Sequence, residues 1–218
     1  MIGIYGGTFN PVHFGHLRTA LEVKELFGLQ QLRLIPCRLP AHRQQPDVAA
    51  DMRLAMLNLA CADTPGFYVD RRELDRAGPS YMVDTLASLR AEFPSCRLLL
   101  FIGLDAFAGL SGWHQWQRLF DYAHLVVMTR PNCTPPELPA FLRQRICTER
   151  QLLRQQTAGL LFFQSVTALD ISATVIRELI AAGRDPKFLL PEAVIGYIRR
   201  HQLYLSSEQD SECKQNNS

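Results

Sequence analysis

The sequence has no pair of cysteines at C-x-x-C spacing, no apolar run near the ~18 residues that a membrane span needs, and no dense stripe of lysine and arginine. Cys37, Cys61, Cys96, Cys133, Cys147 and Cys213 show no finger-like spacing either, and several lie in apolar stretches, so they read as reduced thiols of a cytosolic protein. The start, Met1-Ile2-Gly3-Ile4-Tyr5-Gly6, lacks the charged n-region of a signal peptide. A soluble, cytoplasmic protein with no membrane partner is expected. With a formal charge of +2 the chain carries no broad positive field, which argues against nucleic acid as a partner and for phosphates met at one local site. No internal repeat is found, and residues 205–218 hold almost nothing apolar and are expected to form a disordered tail.

At 47% hydrophobic, 218 residues suffice for one core, expected as a single domain over residues 1–204. Short apolar runs alternate with amphipathic segments, which predicts an α/β fold: a Rossmann-like open parallel sheet with helices on both faces. Strands are expected at Ile2-Gly3-Ile4-Tyr5, at 32–36, 66–70, 97–102 and 124–129, and at Leu160-Leu161-Phe162-Phe163. Tyr81 to Glu92 reads as a helix, as does a segment carrying Met52, Ala55, Met56 and Leu59 with Asp51 as its cap. Between Pro131 and Gly159 prolines and charges replace any clear period, predicting a surface helix or an insertion. A small helical portion closes the chain at about 172–204.

The string Gly6-Gly7-Thr8-Phe9-Asn10-Pro11-Val12-His13-Phe14-Gly15-His16 follows the first strand and opens a helix whose apolar face is Leu17, Ala20, Leu21 and Phe27. Helix starts leave N–H groups unpaired and carry partial positive charge, and His13 and His16 would add donors to the same space. The segment therefore suits a phosphate. On its residues alone it is also compatible with an ordinary strand-to-helix turn. A metal site is less well supported, because no Asp, Glu or Cys follows within the next turn, and the glycines miss the G-x-G-x-x-G spacing of a dinucleotide fingerprint. A second such turn stands at Ile171-Ser172-Ala173-Thr174-Val175-Ile176-Arg177. There Ser172 is a natural N-cap, and Thr174 and Arg177 offer a hydroxyl and a charged fork. By itself it reads equally as a capped helix.

The first string resembles the (G/S)-(T/S)-F-(D/N)-P-x-H-x-G-H signature of the nucleotidyltransferase superfamily, and the second resembles its I-S-(S/A)-T-x-I-R element. Arg38-Leu39-Pro40-Ala41-His42-Arg43 is similar to the P-P-H-K loop of bacterial nicotinate-nucleotide adenylyltransferases. Glu73-Leu74-Asp75-Arg76-Ala77-Gly78-Pro79-Ser80-Tyr81-Met82-Val83-Asp84-Thr85-Leu86 resembles their E-x-x-R-x-G-P-S-Y-T-x-D-T-L block. Phe101-Ile102-Gly103-Leu104-Asp105, Trp113-His114-Gln115-Trp116 and Thr129-Arg130-Pro131 extend the likeness over residues 1–204. Ala41, Arg43, Met82 and Ala173 depart from the family pattern.

The resemblance implies transfer of AMP from ATP to nicotinate mononucleotide in NAD biosynthesis, with Mg2+ arriving on the ATP because no tight carboxylate cluster is visible to hold it. It implies an ATP site of Gly6, Gly7, Thr8, Phe9, His13, His16, Asp105, Ile171, Ser172, Thr174 and Arg177. His13, His16 and Arg177 are then the catalytic donors, the histidines with an ordinary pKa of ~6.5 that lets them donate with or without full charge, and Asp105 accepts from a ribose hydroxyl. His42, Tyr81, Thr85, Trp113 and Arg130 would hold the mononucleotide, with Thr85 or neighbouring N–H groups at the ring carboxylate. Taken alone, Tyr81 and Trp113 serve equally well as core aromatics. An adenylyltransferase preferring nicotinamide mononucleotide or phosphopantetheine, and a nucleotide-binding regulatory module without turnover, are the alternatives. The sequence leaves homo-oligomerisation open.

Overall fold

Leu98-Leu99-Leu100-Phe101-Ile102 is apolar at every position, so a strand made from it has to be covered on both faces. The computed structural model describes residues 1–39, 46, 48–131 and 137–205. Its strands are β1 (Ile2–Gly7), β2 (Gln31–Pro36), β3 (Phe67–Val69), β4 (Leu98–Gly103), β5 (His124–Thr129) and β6 (Leu161–Ser165). They form one parallel sheet in the order β3-β2-β1-β4-β5-β6. The helices are α1 (Phe14–Phe27), α2 (Ala50–Cys61), α3 (Met82–Glu92), α4 (Leu104–Ala108), α5 (Leu119–Tyr122), α6 (Ala140–Arg143), α7 (Ala173–Ala181) and α8 (Glu192–Arg200).

The alternation along β4 divides the core. Leu98, Leu100 and Ile102 join Ile2, Ile4, Leu125 and Val127 beneath Val83, Leu86 and Leu89 of α3. Leu99 and Phe101 turn to the opposite face, where with Val126 and Phe162 they meet Ala20, Val23 and Phe27 of α1. A third cluster joins Met56 and Leu57 of α2 to Ile176 and Ile180 of α7 and to Val194, Ile195 and Ile198 of α8, and it includes Phe9 and Val12. The C-terminal helices are thereby packed directly on the turn that follows β1. Because β1 and β4 are neighbours while the chain runs from β1 outward to β3 before returning, the sheet has its switch point at their carboxyl ends, where open parallel sheets leave a crevice.

Two expectations are corrected. Asp51 does not cap α2: the N-cap is Ala49, whose carbonyl accepts from Arg53 N–H at 3.1 Å. Asp51 stands inside the first turn, where its charge favours the helix dipole without closing an end. The stretch after Pro131 is not a surface helix. Its described residues make the short α6 and a 3-10 turn, Arg150–Arg154, and Leu142, Cys147 and Leu153 are buried. Ile146 bridges to Leu161 beside the outer strand β6, so this segment covers a sheet edge. Among the described residues no helix is long and apolar enough to cross a membrane, and Cys37, Cys61, Cys96 and Cys147 are free thiols. The described chain ends at Leu205, so the expectation for the tail lies outside the described residues from 206 on.

Gly3 shows how tightly the two faces close on β1. A Cβ there would lie 2.5 Å from Leu32 Cδ1, 2.6 Å from Leu29 Cδ1 and 3.1 Å from the Phe101 ring. Gly3→Val is expected to lower stability by about 1–3 kcal/mol, read as a lower urea midpoint at unchanged slope.

Candidate active site

Strand β1 ends with Gly6 and Gly7 in register with Ile35 and Pro36 of β2, and the chain then turns through Thr8 and Phe9 into α1. Phe9 adopts a left-handed φ of 46°, with its ring 1% exposed and edge-on to the His16 ring, centroids 5.2 Å apart. His13 is the N-cap of α1 but makes no side-chain capping bond, which leaves its imidazole to stack on His16 with centroids 3.7 Å apart and planes 30° apart. Gly15 permits this: a Cβ there would come within 3.0 Å of the His13 ring and 3.4 Å of the Ile171 carbonyl oxygen. The Nδ1 atoms of both histidines are buried and have no hydrogen-bond partner among the described residues. Buried polar atoms in native folds normally have one, so these two are set for something that is not protein.

Burial pushes His13 down to about 4, and burial together with the neighbouring His13 pushes His16 down to about 3. The sequence suggests histidines near their ordinary pKa. The structure corrects this: at neutral pH both rings of the free protein are uncharged, because burial penalises the imidazolium form of each and, for His16, the neighbouring His13 adds to it. Each neutral ring keeps one N–H donor.

The second predicted turn arrives at the same place. Ser172 caps α7 by accepting from Thr174 N–H at 3.2 Å, as expected. Arg177 donates to the Asn10 carbonyl at 2.9 Å and to Thr174 Oγ1 at 3.3 Å, so a residue on α7 grips the turn that carries the histidines. Among the described residues these bonds occupy two of its five N–H donors. The Tyr204 hydroxyl donates to Asn10 Oδ1 at 2.7 Å, and burial raises its pKa, which keeps it a donor. The N-termini of α1 and α7 therefore face one volume beside the carboxyl end of β1.

The acceptor residues cluster less completely. Tyr81 is the N-cap of α3, and its ring lies 4.4 Å from the ring of His114. Tyr81 and Trp113 both pack against the cluster beneath α3. Thr85 is fully buried, and its hydroxyl donates to Glu73 Oε1 at 2.7 Å, which commits the side chain to the interior. The first-turn N–H groups of α3, rather than this hydroxyl, are what the helix offers to an anion. Arg130 is exposed on the rim, 3.5 Å from Asp170, beside the Ile171 element. Asp105 stands exposed in the first turn of α4, directly past β4. His42 lies outside the described residues.

Sequence reasoning missed Arg53, Asn10, Tyr204, Glu73 and His114 as members of this constellation. For Arg53 a signal existed: it falls on the stripe Arg53, Met56, Leu57, Cys61 that α2 buries, a charge where the period calls for an apolar residue. Tyr204, far from both motifs in sequence, gave none.

The chain is similar to known proteins over most of its length. The cytidylyltransferase-like family model matches residues 4–179. A protein of Methylococcus capsulatus named "Probable nicotinate-nucleotide adenylyltransferase" is 50% identical over 208 residues, covering 94% of this chain and 99% of that protein. One of the same name from Halorhodospira halophila is 50% identical over 196 residues, covering 88% of this chain and 90% of its own length. In fold, the chain is similar to Plasmodium falciparum nicotinic acid mononucleotide adenylyltransferase complexed with NaAD, with a TM-score of 0.71, 16% identity, and coverage of 93% of this chain and 96% of that one. Two converging helix starts and a sequence related to these proteins over nearly its whole length lead to one assignment: the chain belongs to the cytidylyltransferase-like family and, within it, to the nicotinate-nucleotide adenylyltransferases.

Proposed function

We propose that the protein transfers the adenylyl group of ATP to nicotinate mononucleotide, giving nicotinate adenine dinucleotide and pyrophosphate in NAD biosynthesis. The observation that carries this reading is the convergence of the N-termini of α1 and α7, with two unpartnered, stacked histidines at the meeting point. That is a seat for a polyanion longer than one phosphate.

In the reaction a phosphate oxygen of the mononucleotide forms a bond to the α-phosphorus of ATP while the bond from that phosphorus to the bridging oxygen of pyrophosphate breaks. The attacking phosphate is already anionic at neutral pH, with a second pKa near ~6, so no protein base is required. What the protein supplies is position and charge compensation. Gly6, Gly7, Thr8 and Phe9 shape the turn along which the triphosphate lies. His13 and His16 donate toward the reacting phosphate, and His16 is assigned to the charge that builds in the transition state. Ser172, Thr174, the backbone at Ile171 and Arg177 take the β and γ phosphates. Asp105 accepts from ribose.

Tyr81 and Trp113 hold the pyridine ring, and His42 and Arg130 hold the remainder of the mononucleotide. The positive end of α3 meets the ring carboxylate and favours the acid over the amide. Mg2+ would arrive on the triphosphate, held mainly by phosphate oxygens, and would offset the charge of the transferring and leaving groups. In this reading the protein works in the cytoplasm on ATP and nicotinate mononucleotide, with neither nucleic acid nor membrane as a partner.

Pyrophosphate release from ATP is expected with nicotinate mononucleotide, with a lower kcat/KM for nicotinamide mononucleotide and none with phosphopantetheine. Absence of release with either pyridine nucleotide would leave a binding module. His16→Ala is expected to lower kcat at least ~100-fold with the fold retained, the loss typical of one preorganised donor. A loss under tenfold would remove His16 from the transition state.

The depressed histidines also make stability depend on pH. Their folded values, about 4 and about 3, lie below the ordinary 6.5, so between these limits the unfolded chain binds the protons that the folded chain refuses. Their contribution is whole above pH 6.5 and is lost as the pH falls toward 4, at about 1.4 kcal/mol per pH unit for each ring. Urea midpoints across this range should fall with acid. In His13→Gln/His16→Gln the slope should flatten, leaving the share of the buried His124, which burial also depresses.

A further inference from the structure

Arg53 is 1% exposed, and no acidic side chain among the described residues pairs with it. Its guanidinium is satisfied by backbone instead: Nη1 donates to the Thr8 carbonyl at 2.7 Å, Nη2 to those of Cys37 at 2.8 Å and Arg38 at 3.3 Å, and Nε to that of Val48 at 3.3 Å. A scaffold that only needed to fill this volume would be served by methionine, with no charge to desolvate. The distribution of the acceptors says what the charge accomplishes. Thr8 belongs to the phosphate seat. Cys37 and Arg38 open the connection that leaves β2, and Val48 closes it just before α2.

From there the bonds continue toward the other substrate. Arg38 N–H donates to Ser80 Oγ at 3.0 Å, and Ser80 N–H donates to the Leu39 carbonyl at 3.1 Å. A second arm runs from Arg38 Nη1 to the Arg76 carbonyl at 2.8 Å. Ser80 precedes Tyr81, the N-cap of α3 whose ring faces His114. Hydrogen bonds thus run from the turn assigned to the triphosphate to the start of the helix at the acceptor side, through Arg53 and, beside it, from Cys37 N–H to the Gly7 carbonyl at 3.0 Å and Cys37 Sγ to Thr8 Oγ1 at 3.7 Å. A planar fork with donors on several edges can hold three segments in fixed relation; an ammonium or a thioether cannot.

We propose that Arg53 is a positioning residue that couples the two substrate subsites: ordering of Thr8 by bound triphosphate is passed through Arg53 to residues 37–39 and 80–81 and tightens binding of the pyridine mononucleotide. The inference rests on the two-substrate reading above. By linkage, the mononucleotide tightens the ATP side by the same factor.

The test measures binding without turnover. The Kd of nicotinate mononucleotide is determined by calorimetry with and without saturating α,β-methylene ATP, and the Kd of the analogue with and without mononucleotide, in the wild-type chain, Arg53→Lys, Arg53→Met and Ser80→Ala. The wild type is expected to show a coupling factor of about fivefold or more, equal in both directions. Arg53→Met is expected to lose more than half of that factor, read as the ratio of the two Kd values rather than as a change in either ligand's affinity alone. Arg53→Lys, which keeps the charge but not the fork, retains only part of the factor. Ser80→Ala cuts the same path further along without touching the buried charge, so it reports even where Arg53→Met fails to fold, and is expected to lose most of the coupling. A folded Arg53→Met with the wild-type factor, a Ser80→Ala with the wild-type factor, or a wild type with no factor would each overturn the role of Arg53 while leaving the reaction assignment standing. A wild type that binds neither ligand would overturn both.

Discussion

The proposed phosphate seat depends on the backbone oxygens of the turn between β1 and α1 being held from outside. Arg53 takes the Thr8 carbonyl, Arg177 takes the Asn10 carbonyl, and Tyr204 takes the Asn10 side chain, so three side chains distant in sequence fasten two residues of the turn. Hydrogen bonds from a charged donor contribute roughly 1.5–3 kcal/mol each. They set the direction of α1, and because Arg177 rides on α7 they fix the second helix start relative to the first. The cluster of α2, α7 and α8 around Phe9 and Val12 serves the same end with apolar packing. The C-terminal helices are therefore part of the site's foundation.

This foundation explains how two histidines can be kept in a dry, stacked arrangement that neither would choose alone. Their contact at 3.7 Å is tolerable because both are neutral in the free protein. In the proposed reaction a triphosphate would bring several negative charges to that point and offset the balance that burial imposes, so the donors would be most effective with the polyanion present. The protein bears the cost of unpartnered Nδ1 atoms at folding, and less rearrangement remains at the moment of reaction. Charge is thus arranged locally, which fits a chain whose formal net charge is only +2.

The acceptor side is built on a different principle. Tyr81, the N-cap of α3, and His114 present aromatic surface at a helix start, while Glu73 and Thr85 form a buried polar pair that anchors the first turn of α3. Burial raises the Glu73 carboxyl against the pull of its hydrogen bonds to Thr85 and Ser80 and of nearby Arg76. The same block of sequence supplies the ligand-facing ring and its support, so a motif read as a list of contacts mixes the two. Thr85 is the example: its position in the block is right, but its hydroxyl faces inward.

The strands were legible because a doubly covered parallel strand must be apolar at consecutive positions, as in residues 98–102, and the order of strands and helices followed from that alternation. The two helix starts proposed to receive the phosphates were legible because few residue types can shape such a strand-to-helix turn or cap. What sequence could not supply was partnership between distant positions. Nothing in Tyr204 announces Asn10, nothing in Arg53 announces Thr8, and the prolines after residue 131 concealed the buried Leu142 and Leu153. Local chemistry is written in neighbouring residues, so sequence alone determined the sheet, the two helix starts and the donor types. Their meeting at one point, the neutrality of the stacked histidines and the inward turn of Thr85 were decided by tertiary packing, because burial and the identity of a partner across space exist only once the chain has closed.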